Sequence, residues 1–210
     1  MKDKIGIAVL VSGGGTNLQA LIDAEKSGAL EHGHIVAVIS SQRDAYALER
    51  ARIAGIPGYA FVRKELGADE FERRIAETVD SSGASLIILA GFMSILSESF
   101  VKKYPDRIIN IHPALIPSFC GKGYYGLRVH EEALKRGVKI TGATVHFVNE
   151  IPDGGRIIMQ KAVRVRDGDT PEKLQRRVMR QAEWIIYPKA AEKVCRELIE
   201  KEKNNGKVQS

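Results

Sequence analysis

Apolar and polar positions alternate in blocks along the chain, and the blocks change period. Residues 5–11 form a short, wholly apolar run, followed by Ser12-Gly13-Gly14-Gly15-Thr16-Asn17. Leu18, Leu21 and Ile22 then recur at helical spacing up to Gly28. Residues 35–39 are apolar again, 44–54 read as a helix closed by Gly55 and Pro57, and 59–62 as a short strand. Helical spacing returns over 69–79, and 86–90 is an apolar strand of the kind buried on both faces. Residues 107–110 make a fifth strand. Beyond 140 the pattern shifts to two longer Val- and Ile-rich runs, 140–148 and 156–165, joined by a turn containing Pro152-Asp153-Gly154-Gly155, which predicts a hairpin. Residues 171–196 read as one long helix with a break expected near Pro188.

Alternating strands and helices predict an α/β protein: an open, mostly parallel sheet with helices on both faces, Rossmann-like, plus an antiparallel C-terminal hairpin. No repeat or linker divides the chain. Residues 1–200 are therefore expected to form a single domain, and 201–210 a polar, frayed tail.

The 210 residues are 44% hydrophobic, enough for a real core, and no apolar run reaches bilayer length. The first strand pattern starts at Ile5 with no signal-peptide features before it. Cys120 and Cys195 make neither a disulfide framework nor a zinc spacing. These features predict a cytoplasmic protein. The net charge of +6 gathers late, at Arg164, Arg166, Lys173, Arg176, Arg177 and Arg180, and suits an anionic ligand or simply a solvated face. Aromatics are only 6% and do not interleave with the basic residues, so no nucleic acid is expected.

Gly13, Gly14 and Gly15 lie between the first strand and first helix, where backbone N–H groups and the helix dipole favour an anion. Leu18 stands where a dinucleotide fingerprint needs a third glycine, no acidic residue follows the second strand, and Gly-Lys-Ser/Thr is absent. The loop therefore predicts a mononucleotide or sugar phosphate, set against a plain strand–helix turn.

Asn110 and His112 stand two apart at a strand end, so both face the same way. Pro113 and Pro117 stop the strand and stiffen the loop after it. An amide donor beside an imidazole is equipment for attack on a carbonyl. Asp153 would complete the pair by orienting the imidazole and holding a water, although Asp before Gly is also a common turn pair. Gly142, Gly154 and Gly155 flank that loop and would allow a flat ligand to approach. His32 and His34 read as loop residues, His130 and His146 as structural ones, and no metal is expected.

With these residues in place, the chain resembles the phosphoribosylglycinamide formyltransferase family over roughly residues 4–190. The motifs are Ser12 through Gln19, Leu89-Ala90-Gly91-Phe92-Met93, Asn110 through Pro117, Val145-His146-Phe147-Val148, Asp153-Gly154-Gly155, and Glu183 with Tyr187-Pro188. The resemblance implies formyl transfer from 10-formyltetrahydrofolate, a co-substrate, to the amine of glycinamide ribonucleotide. The products would be formylglycinamide ribonucleotide and tetrahydrofolate, in de novo purine biosynthesis. It implies catalytic roles for Asn110 (oxyanion), His112 (donor) and Asp153, which would raise the His112 pKa and relay a proton through water. Gly15, Thr16, Asn17, Arg180 and Glu183 would bind the ribonucleotide. Met93, Ser94, Ile95, Leu96, Val148, Asn149 and Asp153 would bind the folate. A monomer or homodimer is expected, without membrane partners.

Two departures from the family pattern stand out. Ser94 replaces a common arginine, for which Arg63 or Lys64 could substitute, and the 118–126 loop carries Cys120 and a Tyr124-Tyr125 pair. Another 10-formyltetrahydrofolate-using formyltransferase or a hydrolase is the alternative. About 20 residues follow Pro188, too few for the further C-terminal domain that methionyl-tRNA formyltransferase needs, and the pattern starts at Ile5, without the amino-terminal domain usual in formyltetrahydrofolate hydrolase.

Overall fold

The computed structural model describes residues 4–208, with side chains described to residue 204. It divides into two compact units, Met1–Leu96 with Pro188–Ser210, and Ser97–Tyr187.

In the first unit, β1 (Ile5–Val11) is buried at every position. It pairs in parallel with β2 (Gly33–Ser40) on one side and β4 (Ala84–Leu89) on the other, and β2 pairs in parallel with β3 (Gly58–Ala60). A strand flanked on both edges and covered on both faces has no polar face, which is why 5–11 and 86–90 read as unbroken apolar runs. The helices of this unit are α1 (Thr16–Lys26), α2 (Tyr46–Ile53), the short α3 (Arg63–Leu66) and α4 (Ala68–Ser81). Phe71, Ile75, Ala76 and Val79 give α4 its buried stripe.

In the second unit, β5 (Ile108–His112), β6 (Ile140–Phe147) and β7 (Ile157–Arg164) pair antiparallel in that order, so the predicted hairpin is present. Two helices, α5 (Glu98–Lys103) and α6 (Leu127–Arg136), accompany them. Among all described pairings the parallel ones outnumber the antiparallel. The α/β class follows the expectation.

Helix α7 (Pro171–Val178) opens with Thr170, whose side chain accepts from Lys173 N, and has Pro171 at its start, where a missing N–H is harmless. The break expected near Pro188 falls earlier. Met179–Glu183 form a π-helical turn, and Pro188 lies inside α8 (Trp184–Val208). Proline removes one i→i−4 bond, and a wider turn just upstream can absorb the displaced carbonyl. Helix α8 runs through most of the stretch expected to fray. Its Glu192 accepts from the backbone N–H of His32 and meets His32 Nδ1 at 2.5 Å.

Candidate active site

Strand β5 carries Asn110 and His112 on one face. The register of β5 against β6 sets Asn110 opposite His146 and His112 opposite Thr144. His146 is 2% exposed, and its Nδ1 lies 2.8 Å from Phe147 O, an acceptor only. The proton of the neutral ring therefore sits on Nδ1, and Nε2 presents a lone pair. Asn110 Nδ2 is 3.2 Å from that nitrogen and donates to it. An amide nitrogen carries two hydrogens, so one N–H is spent on His146 and the second remains for an oxyanion. The sequence marks His146 only as a structural residue of a strand. Its role follows from its place opposite Asn110 in the β5–β6 register, a pairing of strands distant in sequence that no local pattern marks.

His112 Nε2 donates to Phe119 O at 2.8 Å. Its Nδ1 faces Asp153 Oδ2 at 3.5 Å, and His146 Nε2 lies 3.6 Å from Asp153 Oδ1. Asp153 thus stands between two imidazoles. Its position depends on a φ of 56°, in the left-handed region that Asp tolerates better than most residues, and on Gly121 N, which donates to Oδ2 at 2.8 Å. Burial pushes the Asp153 carboxyl up. Against burial, the two imidazoles in their protonated forms and the Gly121 N–H hold the group below the usual carboxylate value.

At His112, Asp153 acts in the expected direction but is not the largest influence. Burial pushes its pKa down and outweighs the upward pull of the Asp153 charge and the Phe119 carbonyl, which leaves it below the ordinary histidine value. Near neutral pH the ring is uncharged, with its proton on Nε2 and the Nδ1 lone pair towards Asp153. A proton arriving at Nδ1 meets a carboxylate.

The turn after His112 is fixed by Thr144. Its Oγ1 donates to Ala114 O at 2.7 Å and accepts from Ile116 N at 3.1 Å and Gln160 Nε2 at 3.0 Å. Neither Thr144 nor Gln160 stands out in the sequence. The role expected of two glycines also changes. A Cβ on Gly142 would stand 2.1 Å from Lys161 O, and one on Gly155 would stand 1.7 Å from Phe147 O. The protein's own backbone fills the space expected for a flat ligand. Asn149 Oδ1 accepts from Ile151 N at 3.1 Å and opens the loop that carries Asp153, just after Val148. Arg180 and the buried Glu183 both lie on the π-helical turn, a distortion frequent at functional sites.

In the first unit, Gly15 is the residue before α1, with φ 70°, and has no side chain with which to cap the helix. Thr16 and Asn17 begin α1. Ser12 Oγ, bonded to Ser41 Oγ at 2.6 Å, accepts from Met93 N at 2.9 Å, which brings the glycine loop and the 93–96 segment together. Met93 and Ile95 are exposed, at 57% and 75%. Arg63 donates to Ile95 O at 3.2 Å, so of the two substitutes considered for the arginine missing at Ser94, Arg63 is the one bonded to this segment. Among the described residues, no group of three or more His, Cys, Asp or Glu side chains is placed to hold a metal ion.

The Formyl transferase family profile matches residues 5–191. Phosphoribosylglycinamide formyltransferase from Escherichia coli (strain K12) is 42% identical over 185 residues, 88% of this chain and 84% of that protein. The trifunctional purine biosynthetic protein adenosine-3 from Gallus gallus is 43% identical over 194 residues, 92% of this chain but 19% of that protein. The chain thus spans a small part of one relative and most of the other. Among solved structures, glycinamide ribonucleotide transformylase 1 from Symbiobacterium toebii superposes with a TM-score of 0.87 at 40% identity, covering 94% of this chain and 90% of that one.

Proposed function

The chain belongs to the formyl transferase family, and from that premise we infer that it transfers the formyl group of 10-formyltetrahydrofolate to the amine of glycinamide ribonucleotide. The observation that carries this reading is the gathering of Asn110, His112 and Asp153, with one amide N–H of Asn110 left over after His146 has taken the other.

The amine nitrogen attacks the formyl carbon, and the carbonyl oxygen becomes an oxyanion. The second N–H of Asn110 stabilises that charge, a contribution of about 10²–10³ in rate for a single donor. His112 lies on the same strand face as the second polar group and assists as a donor when it carries a proton on Nδ1. Asp153, ionised because it is held below the usual carboxylate range, stabilises that proton. It also accepts, through water, the proton that the amine must lose. Collapse of the tetrahedral adduct breaks the bond to N10 of the folate, which leaves with a proton.

For the ribonucleotide we assign Gly15, Thr16 and Asn17 to the phosphate, Arg180 as their cationic partner, and Glu183 to the sugar or glycinamide end. For the folate we assign Met93, Ser94, Ile95 and Leu96, with Arg63 beside them, and Val148, Asn149 and Asp153. A cytoplasmic setting and a monomer or homodimer complete the reading. No helix among the described residues is long and apolar enough to cross a membrane.

The deciding experiment is an assay of the purified chain with glycinamide ribonucleotide and 10-formyltetrahydrofolate, reading tetrahydrofolate and formylglycinamide ribonucleotide together. Formation of both in equal amounts is expected. Release of formate and tetrahydrofolate without the formylated nucleotide would instead identify a hydrolase.

A further inference from the structure

Arg50 lies on α2, outside every motif that carries the family resemblance, yet it is bonded to the glycine loop. Its Nε donates to Gly14 O at 2.8 Å, and its Nη1 donates to Gln19 Oε1 at 2.9 Å, in the first turn of α1. The guanidinium lies over the Tyr46 ring, 5.0 Å from the centroid, which keeps it flat against its own helix. Gln19 is held in turn, donating from Nε2 to Asp23 Oδ1 at 2.9 Å. One helix turn away from Arg50, Ala47 N donates to Gly13 O at 3.0 Å.

These two bonds decide which way the loop's peptide groups face. A trans peptide is planar, with C=O and the following N–H pointing in opposite directions. Because Gly13 O is drawn to Ala47 N, the N–H of Gly14 is turned to the other side. Because Gly14 O is drawn to Arg50, the N–H of Gly15 is turned likewise. Among the described residues neither N–H takes part in a backbone hydrogen bond. Two successive outward N–H groups, ending in a residue of left-handed conformation (Gly15, φ 70°), make an anion-binding concavity. Helix α2 packs closely behind it, since a Cβ on Gly15 would come within 2.7 Å of Ala47 Cβ.

We propose that Arg50 is a positioning residue of the phosphate loop: it holds the Gly14 carbonyl, and so aims the Gly14–Gly15 N–H groups at the phosphate of the ribonucleotide. The proposal rests on the reaction assigned above. Two of the five guanidinium N–H groups are used in these bonds, and the positive charge stays beside the loop. Lysine keeps the charge but cannot bond Gly14 O and Gln19 Oε1 together through one planar fork.

The test is steady-state kinetics on Arg50→Ala, Arg50→Lys, Gln19→Ala and Arg52→Ala, with calorimetric binding of ribose 5-phosphate to each. Arg50→Ala should raise KM for the ribonucleotide roughly 10- to 100-fold, the effect of losing hydrogen bonds from a charged donor, with kcat and the folate KM nearly unchanged. Arg50→Lys should recover only part, and Gln19→Ala should show a smaller rise of the same kind, which keeps the test valid if Arg50→Ala fails to fold. Arg52 sits on the same helix in an exposed pair with Glu49, and its loss should leave KM alone. An unchanged ribonucleotide KM in folded Arg50→Ala and Gln19→Ala would overturn the proposal, as would an equal rise in Arg52→Ala, which would reduce the effect to net charge. If wild type fails to turn over the ribonucleotide but Arg50→Ala still loses ribose 5-phosphate binding, the reaction assignment falls and the positioning role stands. If wild type is active and Arg50→Ala keeps its KM, the reverse holds.

Discussion

Asn110 Nδ2 donates to His146 Nε2 across the β5–β6 pairing, at 3.2 Å, while His146 Nδ1 is committed to the carbonyl of the next residue in its own strand. The Asn110 amide is therefore aimed by a histidine whose tautomer the backbone dictates. Asn110→Ala should lower kcat by about 10²–10³. His146→Ala leaves the Asn110 side chain in place but free to rotate, and should lower kcat by a smaller factor. The two losses should be markedly less than multiplicative, because both remove one aimed donor. A double-mutant cycle on kcat checks this, and independent, multiplicative losses would separate His146 from the chemistry.

Asp153→Asn removes the charge that opposes burial at His112. The imidazolium loses its partner, so the His112 pKa, already below its ordinary value, should fall further. Turnover should drop severely, while folate binding should be far less affected because the loop backbone that carries Asp153 can still form. Histidine NMR titrations of wild type and variant read the shift directly, and an upward or absent shift would contradict the pairing seen at 3.5 Å.

His130, on α6, is fully buried, and among the described residues neither ring nitrogen has a hydrogen-bond partner. Burial, with the nearby His112, pushes its pKa down to about 4. The unfolded chain takes up this proton near pH 6.5 and the folded chain does not. Stability from this group is thus complete above about pH 6.5 and is lost as pH falls towards about 4, by up to ~3 kcal/mol. His130→Leu should be close to neutral at pH 7 and should flatten the acid side of a denaturation series. A variant as acid-sensitive as wild type would refute this.

Gly155→Ala should fail for reasons unrelated to ligand. Its Cβ would collide with the Phe147 carbonyl, the acceptor of His146 Nδ1. The strand must move, at roughly 1–3 kcal/mol, the range typical of overpacking. Thermal unfolding should show the loss, and kcat should fall as the His146–Asn110 bond is disturbed. Gly15 is constrained in the same way. Its positive φ and the Ala47 contact mean that a substitution there perturbs α1 whatever the loop binds, which makes Arg50 and Gln19 cleaner probes of the loop.

The linear pattern carried a good deal of this protein. Buried parallel strands must be apolar on both faces, so β1 and β4 are legible as runs, and the period-2 geometry of a strand puts Asn110 and His112 on one face from their spacing alone. Gly15 is legible because its left-handed backbone and the close approach of Ala47 favour glycine there. Three-dimensional packing decided the rest. The short helices at Arg63–Leu66 and Glu98–Lys103 are too brief to show a period. The π-helical turn ahead of Pro188 is a local repair with no code of its own. His146 and Thr144 came to lie opposite Asn110 and His112 through the register of β6 against β5, and Arg50 reached Gly14 across 36 positions of sequence. The sign of the His112 shift is tertiary in the same sense: sequence names the charge that pulls it up, but only the fold determines how much water is taken away.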